Sequence, residues 1–396
     1  MTVMLTNVDY DVVIVGAGPS GLSFACSLRN ENLKILVLEK SLPECFNTFK
    51  PDGREIALTH LSVNILEEMG VWGYIPKTAI SKIKEAKIID GDSGPLLGFS
   101  SKRKKNEALG FLVSNHLIRK ALVEKIQQHK NIHIKMGCVV ENVIRSNDSA
   151  LVRLSGSEDI SARLVIAADS RFSSIRRKMG IPSIMKDFSK VMIIAKMAHG
   201  RSHNQTALEC FLYGRTVALL PLVGNCSSII MTVSTDQVDS VLGLSDEQFN
   251  RMITQLFKGQ LGQMHQEGEK CVYPLISVHA QTFISQRFAL IGDAAVGMHP
   301  VTAHGFNLGL KGQDILAGLI KEQNSKGRDI GLFTVLKHYE RKFIYLTRLL
   351  YFGTNGVVSL FTNDTFYAKP IRKIVLKVAE HFPPVKLLIT QHLTNS

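Results

Sequence analysis

The sequence is poor in residues that staple or anchor a chain. Its six cysteines, Cys26, Cys45, Cys138, Cys210, Cys226 and Cys271, form no Cys-x-x-Cys pair and fall at irregular spacings. That argues against a disulfide framework or a zinc site and fits a reducing cytosol. No cluster shows metal-ligand spacing, so no metal is expected. The chain does not open with a basic segment followed by an apolar run, so a secretory leader is not expected. Long hydrophobic runs are also lacking. The most apolar late stretch, Phe343 to Phe361, is interrupted by Arg348 and two glycines. It reads as a packed amphipathic helix pair rather than a membrane span. There is no internal repeat and no low-complexity linker.

What is present is a globular composition. The chain has 396 residues, 45% hydrophobic and 20% charged, enough for a large core in two domains or sub-domains. The net charge is +13. Such an excess suits nucleic acid, an anionic membrane face or a phosphorylated cofactor. No nucleic-acid signature accompanies it, so nucleic acid is not an expected partner. The run Lys102-Arg103-Lys104-Lys105 reads as a solvated basic surface.

Tyr10 to Val15 is a short β-branched run and reads as a buried strand. The turn Gly16-Ala17-Gly18-Pro19-Ser20-Gly21 follows, then a helical pattern from Pro19 to about Arg29. Lys34 to Leu38 reads as a second buried strand, ending at Glu39 and Lys40. This is a βαβ opening with a parallel sheet. Helical periodicity returns at Leu61 to Met69 and at Leu117 to Gln128, and strands fill much of 131–168. From about 183 to 280 strand-like runs dominate (191–195, 216–222, 227–233, 271–276), with one helix near Asp246–Phe257. That change of pattern predicts a separate sheet inserted into the first unit. Phe288 to Ile291 is again a buried strand, and the remainder is helical.

The glycine turn carries chemistry. Gly16 permits the tight bend, Gly18 lets backbone approach a pyrophosphate, and Gly21 lets helix and strand pack closely. The helix N-terminus offers free N–H groups to phosphates. Glu39 ends the second strand, where a carboxylate can hold ribose hydroxyls. A strand before, a helix after and an acid in register make this a dinucleotide signal, but the turn alone does not separate FAD from NAD.

The second glycine segment does. It runs Ile291-Gly292-Asp293-Ala294-Ala295-Val296-Gly297-Met298-His299-Pro300-Val301-Thr302-Ala303-His304-Gly305-Phe306-Asn307-Leu308-Gly309-Leu310. Asp293, between a strand end and a turn, can accept from ribityl hydroxyls. A helix opening near Gly305, Phe306 and Asn307 would aim its amides at the pyrimidine edge of a flavin. The segment resembles the GD motif of the class A flavoprotein monooxygenases, the aromatic-ring hydroxylases. The form GDAA…HP…GxNLGL is similar to that of the ubiquinone-biosynthesis hydroxylases, and 297–307 resembles their 5-demethoxyubiquinol hydroxylase branch.

Three further segments carry the resemblance. Gly53-Arg54-Glu55-Ile56-Ala57-Leu58, with Ser62 and Leu66 to Trp72, is similar to the family's second strand–helix block, whose arginine (here Arg54) lies near the flavin or its pyrophosphate. Asn115 and Leu117 to Leu122 resemble the helix along the pyrophosphate and ribityl chain, which makes Asn115 and Arg119 candidates. Ala168 to Arg176 is similar to the DG motif that serves both FAD and NAD(P)H. Asp169, Ser173 and Arg176 match it, but Ser170 stands where the family has glycine. That departure puts the local backbone and the handling of the pyridine nucleotide in doubt.

The resemblance implies an α/β fold. A Rossmann-like FAD-binding domain of glutathione-reductase type would comprise 1–75, 105–182 and 281–325. A mixed β-sheet substrate domain, 76–104 and 183–280, would be inserted in it, and 326–396 would form C-terminal helices. It implies a monooxygenase with FAD as cofactor, NAD(P)H or another reductant as electron donor, and O2 as co-substrate. Through a C4a-hydroperoxyflavin it would hydroxylate the ring of a polyprenyl phenol or quinol in ubiquinone biosynthesis. The cofactor then supplies the oxygen chemistry, and the protein binds, orients and excludes water. His299 and His304 flank Pro300, which would rigidify the turn over the flavin ring. Either histidine could exchange a proton with a ring hydroxyl near neutrality. Against these catalytic roles stands a histidine that only bonds its own loop.

A basic C-terminal helix, with Arg372, Lys373 and Lys377 beside Ile371, Ile374, Val375 and Val378, could touch an anionic leaflet or a partner of the pathway. It could equally cover the FAD domain. The location implied is cytoplasmic, or peripheral at the inner membrane. Two readings compete: a hydroxylase of another aromatic metabolite, and a flavin-binding assembly subunit. The oligomeric state is not readable from the sequence.

Overall fold

The computed structural model describes residues 8–44, 48–91, 95–100, 108–156, 158–212, 215–299 and 304–361. The runs at 102–105 and 371–378, together with Pro300 and Cys45, lie outside the described residues.

Tyr10–Val15 forms the centre of an eight-stranded sheet. It pairs in parallel with Ile160–Ala167 on one side and Ile35–Leu38 on the other. Phe288–Leu290 and Ile132–Lys135 extend the parallel set outward. Val12, Val13 and Ile14 are fully buried, as strands covered on both faces must be, which is why they read as an unbroken apolar run. Ala150–Leu154 and Val140–Arg145 add an antiparallel flap.

A second eight-stranded sheet is mixed. In order it contains Val296–Gly297, Met264–Ala280, Ser183–His199, Cys226–Ser234, Arg215–Pro221, Thr206–Leu212, Glu85–Asp90 and Pro95–Ser100. The pairing of Thr206–Leu212 with Glu85–Asp90 is parallel and the others are antiparallel. Its outer face carries Ile193, Ala195, Val217, Ile229 and Met231, which pack on Phe249 and Ile253 of the helix Asp246–Leu256. That helix starts on a capping box of Ser245 and Gln248. A small third sheet joins Glu55–Leu58, Gly110–Ser114 and Ser81–Ile83.

The predicted helix pair over 343–361 is one helix, Phe333–Phe361. Gly353 and Gly356 cost it roughly 1 kcal/mol each against alanine, but packing outweighs that. Tyr339 donates to Leu290 O at 2.9 Å, and Glu340 accepts from Phe283 N at 2.8 Å. Among the described residues no helix is long and apolar enough to cross a membrane.

Candidate functional site

The glycine turn is built by backbone constraints. Gly16 has φ +107, and a Cβ there would lie 2.6 Å from Ala168 O. Its amide donates to Leu38 O at 2.7 Å. Ala17 N donates to Glu39 Oε2 at 2.8 Å, while Glu39 Oε1 accepts from the amide and hydroxyl of Ser41. Glu39 therefore fixes the turn as well as ending the strand. Gly18 caps the helix Pro19–Ser27 with no side-chain bond, and a Cβ there would meet nothing within 4 Å. The space beside Gly18, at the N-terminus of this helix, is thus open, where an anion site would lie. Lys40 is exposed at the margin.

The second glycine segment lands on the first. Gly292, at φ +56, packs so closely on Ser20 that a Cβ would overlap the serine side chain. A Cβ on Gly309 would come 3.3 Å from Ser20 Oγ. Asp293 Oδ2 accepts from Arg171 Nη2 at 3.0 Å, and Arg171 Nη1 donates to Ile276 O at 2.9 Å. One arginine therefore ties the aspartate to a strand of the mixed sheet.

The helix His304–Ser325 begins beside this point. A Cβ on Gly305 would meet nothing within 4 Å, and Phe306 packs at the edge of the core. The buried Asn307 side chain is used by the protein. Its Oδ1 accepts from Thr59 N and Ser62 Oγ, and its Nδ2 donates to Ala57 O at 2.8 Å. The side chain of His304 lies outside the described ones.

The 168–176 segment adds a third strand end. Asp169 Oδ2 accepts from Ser174 N and Ile175 N, and Asp169 Oδ1 is buried with no partner among the described residues. Ser173 caps the following helical turn through Arg176 N at 2.9 Å. The buried Arg176 donates to Ala294 O at 2.8 Å, which links this loop to the Gly292 segment. Ser170 has φ +101. The departure from glycine therefore leaves a glycine-like backbone in place, at a steric cost to serine.

Arg54 is not a free arginine. It makes two bonds to Asp52, at 2.9 and 2.5 Å, and lies over the Tyr273 ring. Asn115 Nδ2 also donates to Asp52, at 2.7 Å, and the Tyr273 hydroxyl donates to Asp52 O. Burial alone would raise Asp52, but the Arg54 charge and these bonds hold it below the usual carboxylate range. Burial lowers the proton affinity of the Arg119 guanidinium, against the opposing charges of Glu39 and Asp52.

His299 is 6% exposed, with its ring edge-on to Phe188 at 4.7 Å. Burial, then the charges of Lys190, Arg171 and Lys186, pushes it down to about 4. It is therefore held neutral near pH 7, the form in which an imidazole can accept a proton from a ring hydroxyl.

Sequence reading missed Asp52, Tyr273 and Arg171. Asp52 sits two residues from Arg54 and could have been found as its counter-charge. Nothing local signals Tyr273 or Arg171, whose partners come from distant strands.

Three parallel-strand ends, two glycine segments in contact, an open Gly18 and an orphaned Asp169 oxygen fit an extended dinucleotide cofactor. Fold and site together define a dinucleotide-binding flavoprotein. Residues 9–327 match the family described as FAD binding domain. The chain is 45% identical to the ubiquinone hydroxylase UbiM of Neisseria meningitidis, over 97% of this chain and 84% of that protein. It is 30% identical to the ubiquinone hydroxylase UbiL of Rhodospirillum rubrum, over 96% and 89%. The crystal structure of p-nitrophenol 4-monooxygenase PnpA from Pseudomonas putida shares the fold, with a TM-score of 0.78 at 18% identity over 98% of each chain. This chain belongs to the FAD-binding family, and within it to the class A flavin hydroxylases of ubiquinone biosynthesis. FAD is its cofactor.

Proposed function

We propose that the protein hydroxylates the aromatic ring of a polyprenyl phenol or quinol intermediate in ubiquinone biosynthesis, with O2 as co-substrate and NAD(P)H or another reductant as electron donor. The observation that carries the reading is the meeting of the two glycine segments at Ser20, in a chain that matches ubiquinone hydroxylases over nearly its whole length. Bound FAD supplies the electron transfer and oxygen activation.

The residues divide the remaining work. Glu39, with Lys40 at its margin, faces the adenosine ribose. The amides after Gly16 and Gly18, through Pro19, Ser20 and Gly21, receive the pyrophosphate at the positive end of the helix. Asn115, Arg119 and Arg54 line its path, with Asp52 setting the Arg54 position. Asp169 and Arg176 support the middle of the site. Asp293 accepts from ribityl hydroxyls while Arg171 holds its other oxygen, and Gly292 makes room for this approach. The amides at Gly305, Phe306 and Asn307 stabilise negative charge at the pyrimidine edge.

The family resemblance assigns Pro300, outside the described residues, the stiffening of the flavin loop, and makes His299 and His304 the candidates for proton exchange with a ring hydroxyl. His299, neutral near pH 7, is a candidate acceptor for such a proton. In this reading 1–75, 105–182 and 281–325 hold FAD, 76–104 and 183–280 cover the substrate, and 326–396 is the C-terminal segment, with the helix Phe333–Phe361 packed on both. The work is done on the cytoplasmic side, beside the membrane in which a prenylated quinol dissolves.

The test is a quinone profile, by mass spectrometry, of a strain in which this gene supplies the only ring hydroxylase. Deletion should accumulate an under-hydroxylated ubiquinone precursor. An unchanged profile overturns the proposal.

A further inference from the structure

The helix Phe333–Phe361 packs one side against both halves of the molecule. Phe343 meets Gly312, where a Cβ would lie 2.5 Å from the phenylalanine ring. Thr347 meets His279 and Tyr351 meets Ser277, both on the strand Met264–Ala280. The other side is left with large apolar residues. Tyr345 is 72% exposed, Leu349 73% and Phe352 56%. Their spacing of four and three puts them on one stripe, one above the next.

Ile184 and Met185, on opposite faces of their strand, are exposed at the adjoining strand end. Two bonds hold that strand end to the helix: the Tyr351 hydroxyl donates to Ile184 O, and Lys186 Nζ donates to Ser359 Oγ at 2.6 Å. Single exposed apolar residues need no explanation, but a contiguous set does.

The charge around the stripe has one sign. Lys337, Arg341, Lys342 and Arg348 are exposed on the same helix. Its single carboxylate, Glu340, is buried and spent on Phe283 N. Arg348 also donates to Gln281 O, which leaves its charge uncompensated. At the margins, Glu322 on the neighbouring helix is paired with Lys326, and Asp187 accepts from Ser189 N in its own turn. An apolar stripe with cations on both flanks is the pattern of a helix lying in a membrane interface, its apolar side among acyl chains and its cations on anionic headgroups.

We propose that the exposed face of Phe333–Phe361 docks the protein on an anionic lipid bilayer. This surface lies upstream of the 371–378 segment that the sequence singled out, and it does not depend on the substrate.

The experiment is vesicle flotation of the FAD-loaded full chain. The probes are phosphatidylcholine vesicles with and without phosphatidylglycerol, at low and high salt. The protein should float with the anionic vesicles, stay behind with the neutral ones, and lose binding as salt rises. The variant Leu349→Glu/Phe352→Glu should bind at least tenfold more weakly, with FAD content and melting temperature unchanged. Arg341→Glu/Arg348→Glu should weaken binding and flatten the salt dependence.

Three results overturn the proposal. One is a wild-type protein that does not float. Another is a Leu349→Glu/Phe352→Glu variant that floats like wild type, which would move the contact elsewhere on the chain. The third is a variant that only splits an oligomer in solution while vesicle binding stays the same, which would make this face a contact between copies.

Discussion

Gly292 rests directly on Ser20, with no room for a Cβ between them. Residues from opposite ends of the sequence thereby form one wall, and the wall holds only if both backbones keep their shape. Replacing Gly292 with alanine introduces an overlap and a strained left-handed φ. We expect Gly292→Ala to destabilise the fold by about 2 kcal/mol and to weaken FAD binding at least tenfold. A fluorescence titration with FAD and a thermal melt check both. Wild-type affinity in the variant would mean that this contact does not shape the cofactor site.

Ser170 holds φ +101 without being glycine. The strain is removable. Ser170→Gly should stabilise the protein by about 1 kcal/mol, the steric relief outweighing the extra freedom of the unfolded chain. Urea denaturation measures this directly. A loss of stability would show that the serine hydroxyl contributes more than its backbone costs.

Arg54 and Asp52 form a half-exposed pair, so the pair adds little to stability by itself. Arg54→Ala should barely shift the melting temperature of the FAD-free protein. Its FAD dissociation constant should rise about tenfold, equivalent to roughly 1.4 kcal/mol. If the melting temperature of the FAD-free protein fell along with the FAD affinity, Arg54 would be a structural arginine.

His279 and His299 are buried and held neutral, each pushed down to about 4 from 6.5 chiefly by burial. As pH falls, the unfolded chain takes up these protons first. Their contribution is therefore complete above about pH 6.5 and is lost between there and pH 4, on the order of 3 kcal/mol for each. His279→Gln should flatten the stability profile across that window, although it sacrifices one of the bonds to Thr347 or Ala280. A profile unchanged by the substitution would contradict the neutral assignment.

Local rules made much of this molecule legible. The strand Tyr10–Val15, the turn after it and the helix from Pro19 are specified by adjacent residues. The helix expected near Asp246–Phe257 is Asp246–Leu256, while the shorter helix Val238–Leu242 beside it was not anticipated. Pairings set by tertiary packing were not legible. Arg54 read as a cofactor arginine, but only the fold brings Tyr273 and Asn115 onto the same aspartate. Asn307 read as a flavin contact from its motif, and its side chain proves to clamp Ala57, Thr59 and Ser62. The break expected within 343–361 rested on two glycines, and the contacts of Tyr339, Phe343 and Thr347 carry the helix past them. His299 looked like a proton carrier by residue type. Its burial against Phe188 lowers its proton affinity, and burial is not written in the motif.

The central claim is that FAD here serves ring hydroxylation. The most direct measurement supplies purified FAD-loaded protein with a reductant, a short-chain demethoxyubiquinol and isotopically labelled O2, and weighs the product. The account predicts one labelled oxygen atom in the ring per product molecule, formed only with FAD bound. Reductant and oxygen consumed with no label in the ring, or a product formed without oxygen, would contradict it.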